Sequence, residues 1–334
     1  MSEHQILVFA PFKGLTNKVY RNAFARHFGG FDYMVAPFIS GSGSTRVNPS
    51  KLQDISPIED NLTPTIPQLI SANAAEIITM AKTLHQHGFT QLNWNLGCPF
   101  PRIAEKYRGC GILPYPDRLD SILHEIFTAN IPLDLSIKTR LGYNHPSEII
   151  EVIKVFNNYP IHSITIHTRT GKQRYRGETD PDAFAHCQKT SKHQLIYNGD
   201  LYNLTCFRQI QAMFPSMTTW MVGRGALMNP FLPLEIKGIK LGQQEKKDRL
   251  LAFHEELLTS ACQTIPQEKK CLGWMKAIWY YMAGVFQQGQ SLFQQIKTTT
   301  SLTAYREVIT KIKETPFASE QDQENYFRYC IKHV

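Results

Sequence analysis

Apolar and β-branched residues gather in eight short runs, at residues 6–11, 31–38, 66–71, 91–97, 133–142, 163–170, 194–200 and 218–227. They recur roughly every 30 residues, the length of a strand plus a crossover helix. The segments between them carry helical punctuation. Residues 17–28 end at Gly29 and Gly30, 72–87 end at Gly88, 117–128 follow Pro114 and Pro116, and 147–157 begin with Ser147 after Pro146. Stretches 180–189 and 204–213 complete the set, and within 72–87 the residues Ala75, Ile78, Ala81 and Leu84 recur near the helical period. Eight strands alternating with helices predict an α/β fold, a TIM (β/α)8 barrel. The main alternative, an open doubly wound sheet, usually places a glycine-rich phosphate turn after its first strand, and Phe9-Ala10-Pro11-Phe12-Lys13-Gly14 is not one.

Pro230 and Pro233 mark a change of character. From Lys240 onward no strand pattern remains, and residues 250–261, 271–287, 292–299, 303–313 and a short stretch near 321–331 read as helices. The expected organisation is a barrel over residues 1–239 followed by a C-terminal all-helical domain over 240–334. Trp274, Trp279, Tyr280, Tyr281 and Phe286 read as the core of those helices. Residues 277–296 carry no charge, but Gln287, Gln288, Gln290, Gln294 and Gln295 leave a continuous apolar part about half as long as a bilayer needs, so no membrane span is expected. Residues 1–5 are too short and polar for a signal peptide.

In a barrel, the C-terminal strand ends form the catalytic face. Here those ends read Pro11-Phe12-Lys13, Gln68, Asn95 with Cys98, Lys138 with Arg140, His167 with Arg169, Asn198-Gly199-Asp200 and Gly223-Arg224-Gly225. Lys138 and His167 interrupt otherwise apolar strands, where a polar side chain is costly without a partner. A bound anionic cofactor would supply one. Taken singly, each residue has a plainer reading. Cys98 could be a small buried hydrophobe, Lys138 could be paired with Asp134 or Asp200, His167 could be a hydrogen-bonded core residue, and Asn198-Gly199 could be only a turn.

Charge changes the picture further. The chain has 36 Lys and Arg against 28 Asp and Glu, a formal +8, which favours association with polyanions. Arg102, Lys106 and Arg108 follow the cysteine, and Arg169, Lys172, Arg174 and Arg176 follow His167, with Tyr107 and Tyr175 among them. Basic loops interleaved with aromatics suit RNA; a solvated charged surface is the simpler alternative. Seven cysteines without a paired framework fit a reducing compartment, and a cytoplasmic location is expected. No Cys-x-x-Cys occurs, and His85 and His87 fall on different faces of a helix, so no metal site is assigned.

The ordered set Ala10-Pro11, Gln68-Leu69, Leu92 through Pro99, Arg108-Gly109-Cys110-Gly111, Ile137 through Gly142, Ile166 through Thr170, Asn198-Gly199-Asp200 and Val222 through Leu227 resembles the flavin-dependent tRNA-dihydrouridine synthases across essentially the whole chain. Asn95-Leu96-Gly97-Cys98-Pro99 is the most specific element. Lys276 to Tyr281 with Leu292-Phe293-Gln294 is most similar to the bacterial DusC branch. The resemblance implies FMN as cofactor, NADPH as reductant and tRNA as partner, with the chain expected to act as a monomer. It implies Cys98 as the acid that protonates uracil C5; an ordinary thiol, with pKa roughly 8.5, is mostly protonated at neutral pH and suits that role. It further implies Pro11, Phe12, Lys13 and Gln68 around the isoalloxazine and Lys138 at its pyrimidine edge. His167 would serve flavin or uracil, and Asn198, Gly199, Asp200, Gly223 and Arg224 would lie around the phosphate. Asn95 is expected on the uracil, and Arg102, Tyr175, Arg176 and Lys276 on the tRNA. Phe12, Lys13, Asn17, Ser71 and Thr168 depart from the family's usual residues and bear on substrate position more than on activity. A dihydroorotate dehydrogenase-like enzyme and a non-catalytic RNA-binding relic are the competing readings.

Overall fold

The computed structural model describes residues 5–41, 47–56 and 58–333. Residues 1–4, on which most of the signal-peptide reading rests, lie outside that set. Ten strands run in parallel: β1 (Ile6–Phe9), β2 (Tyr33–Val35), β3 (Ile39–Ser40), β4 (Thr65–Ile66), β5 (Gln68–Ile70), β6 (Gln91–Leu96), β7 (Asp134–Gly142), β8 (Ser163–Thr170), β9 (Gln194–Asn198) and β10 (Thr219–Val222). Their order is β3-β5-β6-β7-β8-β9-β10-β1-β2-β4. Two staves are each split by a proline, because proline has no N–H to give to the ladder: Pro67 separates β4 from β5 within the predicted run 66–71, and past Pro37 the run 31–38 continues as β3, beyond its predicted end. Since β2 pairs with β4 and β3 with β5, the two halves of one stave lie along the two halves of its neighbour. The ring therefore closes on eight staves, as the sequence predicts.

Helices α1 (Lys18–His27), α2 (Ala74–Gln86), α3 (Pro101–Ala104), α4 (Pro116–Thr128), α5 (Glu148–Phe156), α6 (Pro181–Thr190) and α7 (Leu204–Met213) connect the staves. Asn17, Asn73, Asp180 and Asn203 cap α1, α2, α6 and α7, each accepting a hydrogen bond from a first-turn amide. Such caps satisfy donors the helix itself cannot. The last predicted strand is corrected at its end. It stops at Val222, Gly223 turns the chain, and Arg224 opens the short helix α8 (Arg224–Met228); the run Gly-Arg-Gly-Ala-Leu-Met lacks the β-branched residues that extend a strand.

After α9 (Leu232–Ile236) the chain is helical, with α10 (Gln243–Thr264), α11 (Glu268–Met282), α12 (Gly289–Thr298), α13 (Leu302–Thr310) and α14 (Glu320–His333). Helix α10 is longer than its apolar period suggests because its first turns, Gln243 to Arg249, are polar and mostly exposed. Helix α11 is shorter, giving way to a 3-10 turn at Ala283–Val285. Phe253 of α10 packs on Phe28, with ring centroids 4.9 Å apart, and Glu256 pairs with Arg26 and His27, so α10 is seated on α1. None of the described helices is long and apolar enough to cross a membrane.

Two cores result. The large one lies between staves and helices; the small one, Val8, Ala10, Val35, Ile196 and Met221, fills part of the barrel interior. The rest of the interior is polar and satisfied internally. Gln68 donates to Asn93 at 2.7 Å, Asn93 donates to Ser136 at 2.9 Å, and Asn95 donates to Gln68 at 2.8 Å. A buried polar network of this kind is tolerated when every member is paired.

Candidate active site

Strand register brings the chemistry together. Asn95 lies beside Lys138, Arg140 beside His167, and His167 beside Asn198. A cavity of about 270 Å³ opens at this end of the barrel. It gathers Pro11, Phe12, Lys13, Gln68, Asn95, Cys98, Lys138, His167, Tyr175, Asn198, Gly199, Asp200, Gly223 and Arg224. Arg102 and Arg176, also read from the sequence, are exposed and outside its lining. Lys276 is not part of it either. Its ammonium donates to the carbonyls of Lys297 and Thr299 at the end of α12, away from the cavity.

Cys98 is held by the loop that follows β6. Asn95 Oδ1 accepts from the amides of Gly97 and Cys98 at 3.0 and 2.9 Å, a local turn that an asparagine is suited to close. Gly109, with φ of 57°, passes so near that a Cβ on it would lie 2.9 Å from Cys98 Cβ. The Cys98 thiol is pushed above its ordinary pKa, first by burial and against the opposing pull of the Phe100 amide and Arg140. A thiol raised in this way stays protonated at neutral pH.

Lys138 faces the cavity and donates to Asn198 Oδ1 at 2.9 Å. Its neighbours settle the plainer reading against an ion pair: Asp200 is engaged by Arg169 and by Arg224, and Asp134 faces His162 at 3.7 Å. Burial, then the nearby Arg140, lowers the Lys138 pKa to about 7. His167 is held well below its usual value by burial and then by Arg140, Lys138, Arg169 and Arg224, so its ring is neutral. Arg169 lies 3.4 Å from Nε2 and can only donate, which leaves the ring proton on Nδ1.

Arg140 and Arg169 stand at strand ends in the sequence without an assigned role, and both are structural cations of the site. Arg140 donates to the carbonyls of Gly97, Thr170 and Arg174 at 2.8, 2.9 and 2.6 Å, joining the loop of Cys98 to the basic loop after β8. Arg169 and Arg224 share Asp200, with Arg224 at 2.7 Å. Tyr281 and Phe327 were not foreseen as lining residues. Tyr281, packed against the core, also lies 6.2 Å from Phe12, and Phe327 sits 4.9 Å under the Arg224 guanidinium. Two of the unusual positions serve locally: Asn17 as the cap of α1, and Ser71 as a partner of Glu76 and the Asn73 amide. Lys13 reaches the rim, donating to the Phe38 carbonyl at 3.2 Å.

Among the described residues, Lys138, Arg140 and Arg224 and one carboxylate, Asp200, line the cavity, with Lys13 exposed at its rim. Gly223 leaves the space beside Phe12 open, since a Cβ there would lie 3.3 Å from the ring. An excess of buried positive charge, a bare backbone turn at the mouth and a strip of aromatic and apolar wall fit an aromatic group that carries a phosphate and accepts negative charge.

A family model described as dihydrouridine synthase matches residues 8–328. A protein of Neisseria meningitidis serogroup A named tRNA-dihydrouridine(16) synthase is 25% identical over 321 residues, covering 91% of this chain and 93% of its own. One of the same name from Cupriavidus necator is 26% identical over 295 residues, 82% of this chain and 88% of its own. Among solved structures, the old yellow enzyme homologue of Zymomonas mobilis matches with a TM-score of 0.52 at 11% identity, over 73% of this chain and 91% of that one, a likeness of fold.

Proposed function

The chain belongs to the dihydrouridine synthase family, and from that premise we propose that it reduces the C5–C6 bond of specific uridines in tRNA, with FMN seated in the barrel cavity and NADPH as the reductant. The observation that carries this reading is the convergence on one cavity of a protonated buried thiol and a surplus of cations. Bound there, the flavin would supply the hydride that goes to uracil C6. Cys98 gives its proton to C5, and a thiol kept protonated by burial is matched to that step. Lys138, whose hydrogen-bond partner among the described residues is the neutral Asn198, would hold the ring of a bound flavin and answer negative charge there. Charge arriving beside it draws its proton back on. Neutral His167 offers an Nδ1–H to a carbonyl oxygen. Arg224, on the first turn of α8, with Gly199 and Gly223 close by, holds the phosphate, a site type common after the seventh and eighth strands of such barrels. Asn95 orients the base, Gln68 lies against the flavin, and Tyr175 at the cavity with Arg102 and Arg176 on the exposed surface meets the RNA. A target base inside folded tRNA has to be extruded to reach such a cavity. The resemblance of residues 276–294 to the DusC branch and the two relatives' shared name favour uridine 16 as the target. A tRNA substrate is compatible with the expected cytoplasmic location. The test is nucleoside analysis of tRNA from a strain lacking the gene. A dihydrouridine missing at one mapped position supports the reading, and an unaltered modification pattern refutes it.

A further inference from the structure

The segment after Cys98 carries a surface that the chemistry of the cavity does not use. Phe100 is 53% exposed, Tyr107 38% and Tyr115 47%, three large rings left open within sixteen residues of chain. Tyr107 and Tyr115 meet edge to face at 5.1 Å, and the Arg118 guanidinium lies 4.4 Å over the Tyr107 ring. Tyr107 is held in a left-handed backbone conformation, φ 54°, which a bulky side chain adopts only when its surroundings impose it. The same stretch of chain carries Arg102, Lys106, Arg108 and Arg118 against Glu105 and Asp117. The patch is fixed to the acid. Phe100 lines the mouth of the cavity, and the Cys98 carbonyl accepts from both the amide and the thiol of Cys110, each at 3.2 Å.

We propose that Phe100, Tyr107 and Tyr115 form a stacking platform for an unpaired nucleotide that flanks the uridine in the cavity, with the surrounding Arg and Lys side chains on its phosphates. The inference rests on the reading of tRNA as substrate. A uridine drawn into the cavity leaves its neighbours without a stacking partner, and an exposed ring offers a face to any base regardless of sequence. The excess of positive charge selects a polyanion over an acid-poor protein surface. Because the rings share a frame with Cys98, a base seated on them sets the depth of the uridine beside the thiol.

The experiment uses the full-length protein and a single-stranded RNA oligonucleotide with 2-aminopurine on one side or the other of a central uridine. The wild type is expected to quench the fluorescence at one flank. The double variant Tyr107→Ala/Tyr115→Ala loses that quench and binds about tenfold more weakly, whereas Tyr107→Phe/Tyr115→Phe keeps both. The loss in the alanine variant persists at high salt, while that of Lys106→Ala shrinks as salt screens it. Unchanged quenching and affinity in the alanine variant overturn the proposal, as does a loss that vanishes at high salt. So does a wild-type dimer that the variant abolishes without altering RNA binding. Dihydrouridine formation by the wild type on whole tRNA is measured alongside. Its absence sinks the reading of the enzyme, and its presence with no wild-type quench sinks only the platform.

Discussion

A lysine buried among cations makes the flavin-free protein's stability depend on pH, and the size follows from the site. Lys138 titrates at about 7 in the fold, lowered first by burial and then by Arg140, against 10.5 ordinarily. That gap is worth about 5 kcal/mol as an upper limit. Below pH 7 the ammonium is charged in both folded and unfolded chains and the full cost of burying it is present. Between 7 and 10.5 the unfolded chain binds the proton and the folded one does not, so stability rises with pH, by up to about 1.4 kcal/mol per pH unit. Above 10.5 both are neutral and the cost is gone. Lys138→Met removes the charge and also orphans Asn198 Oδ1, a roughly constant penalty of about 1–3 kcal/mol. Its pH dependence therefore isolates the charge. Urea unfolding of apoprotein and variant at pH 6.5, 7.5, 8.5 and 9.5 should show the wild type gaining on the variant by several kcal/mol across the series. A difference that stays flat would mean the ammonium is solvated or ion-paired, and the argument for an anion-hungry cavity would fail with it.

Arg224→Ala should weaken FMN retention by tenfold or more, read as flavin absorbance per protein after gel filtration; full occupancy would remove the arginine from the phosphate site. Asp200→Ala leaves the buried Arg169 and Arg224 guanidiniums facing each other and should cost about 3–5 kcal/mol in urea unfolding, a loss under 1 kcal/mol arguing against a shared carboxylate. Lys276→Ala frees the carbonyls of Lys297 and Thr299 and should lower stability by about 1–2 kcal/mol in urea unfolding; unchanged stability would mean that those hydrogen bonds contribute nothing, and a loss of tRNA affinity measured alongside would mark the lysine as a phosphate contact. Because burial raises the Cys98 thiol, single-turnover uridine reduction should not decline as pH passes through the ordinary thiol range, whereas a fall centred there would mean an unperturbed cysteine.

The staves were legible because apolar and β-branched residues recur in short runs at the spacing of a strand plus a helix, even where they alternate with polar residues, as in β6, β7 and β8. Their interruptions follow from Pro37 and Pro67, visible in the sequence but with consequences that depend on pairing. The sequence also showed Cys98, Lys138, His167 and Arg224 at strand ends. It could not show that Gln68, Asn93, Asn95 and Ser136 satisfy one another, because that depends on register across three staves. The same is true of the bridge from Arg169 through Asp200 to Arg224. Tyr281 and Phe327 reach the cavity from helices far along the chain, and no local period reports which face of a helix a distant packing will turn inward. The hydrogen bonds of Lys276 are hidden from the sequence for a related reason: the carbonyls it meets belong to the end of another helix.

The central claim is that one buried thiol completes the reduction of uridine at this cavity. Purified wild-type protein and Cys98→Ala, each loaded with FMN, are incubated with NADPH and tRNA lacking dihydrouridine, and the digested nucleosides are analysed by mass spectrometry. The account predicts equal flavin content in both, dihydrouridine from the wild type, and none above background from the variant. Dihydrouridine at wild-type rate from Cys98→Ala, or none from the flavin-loaded wild type, would contradict it.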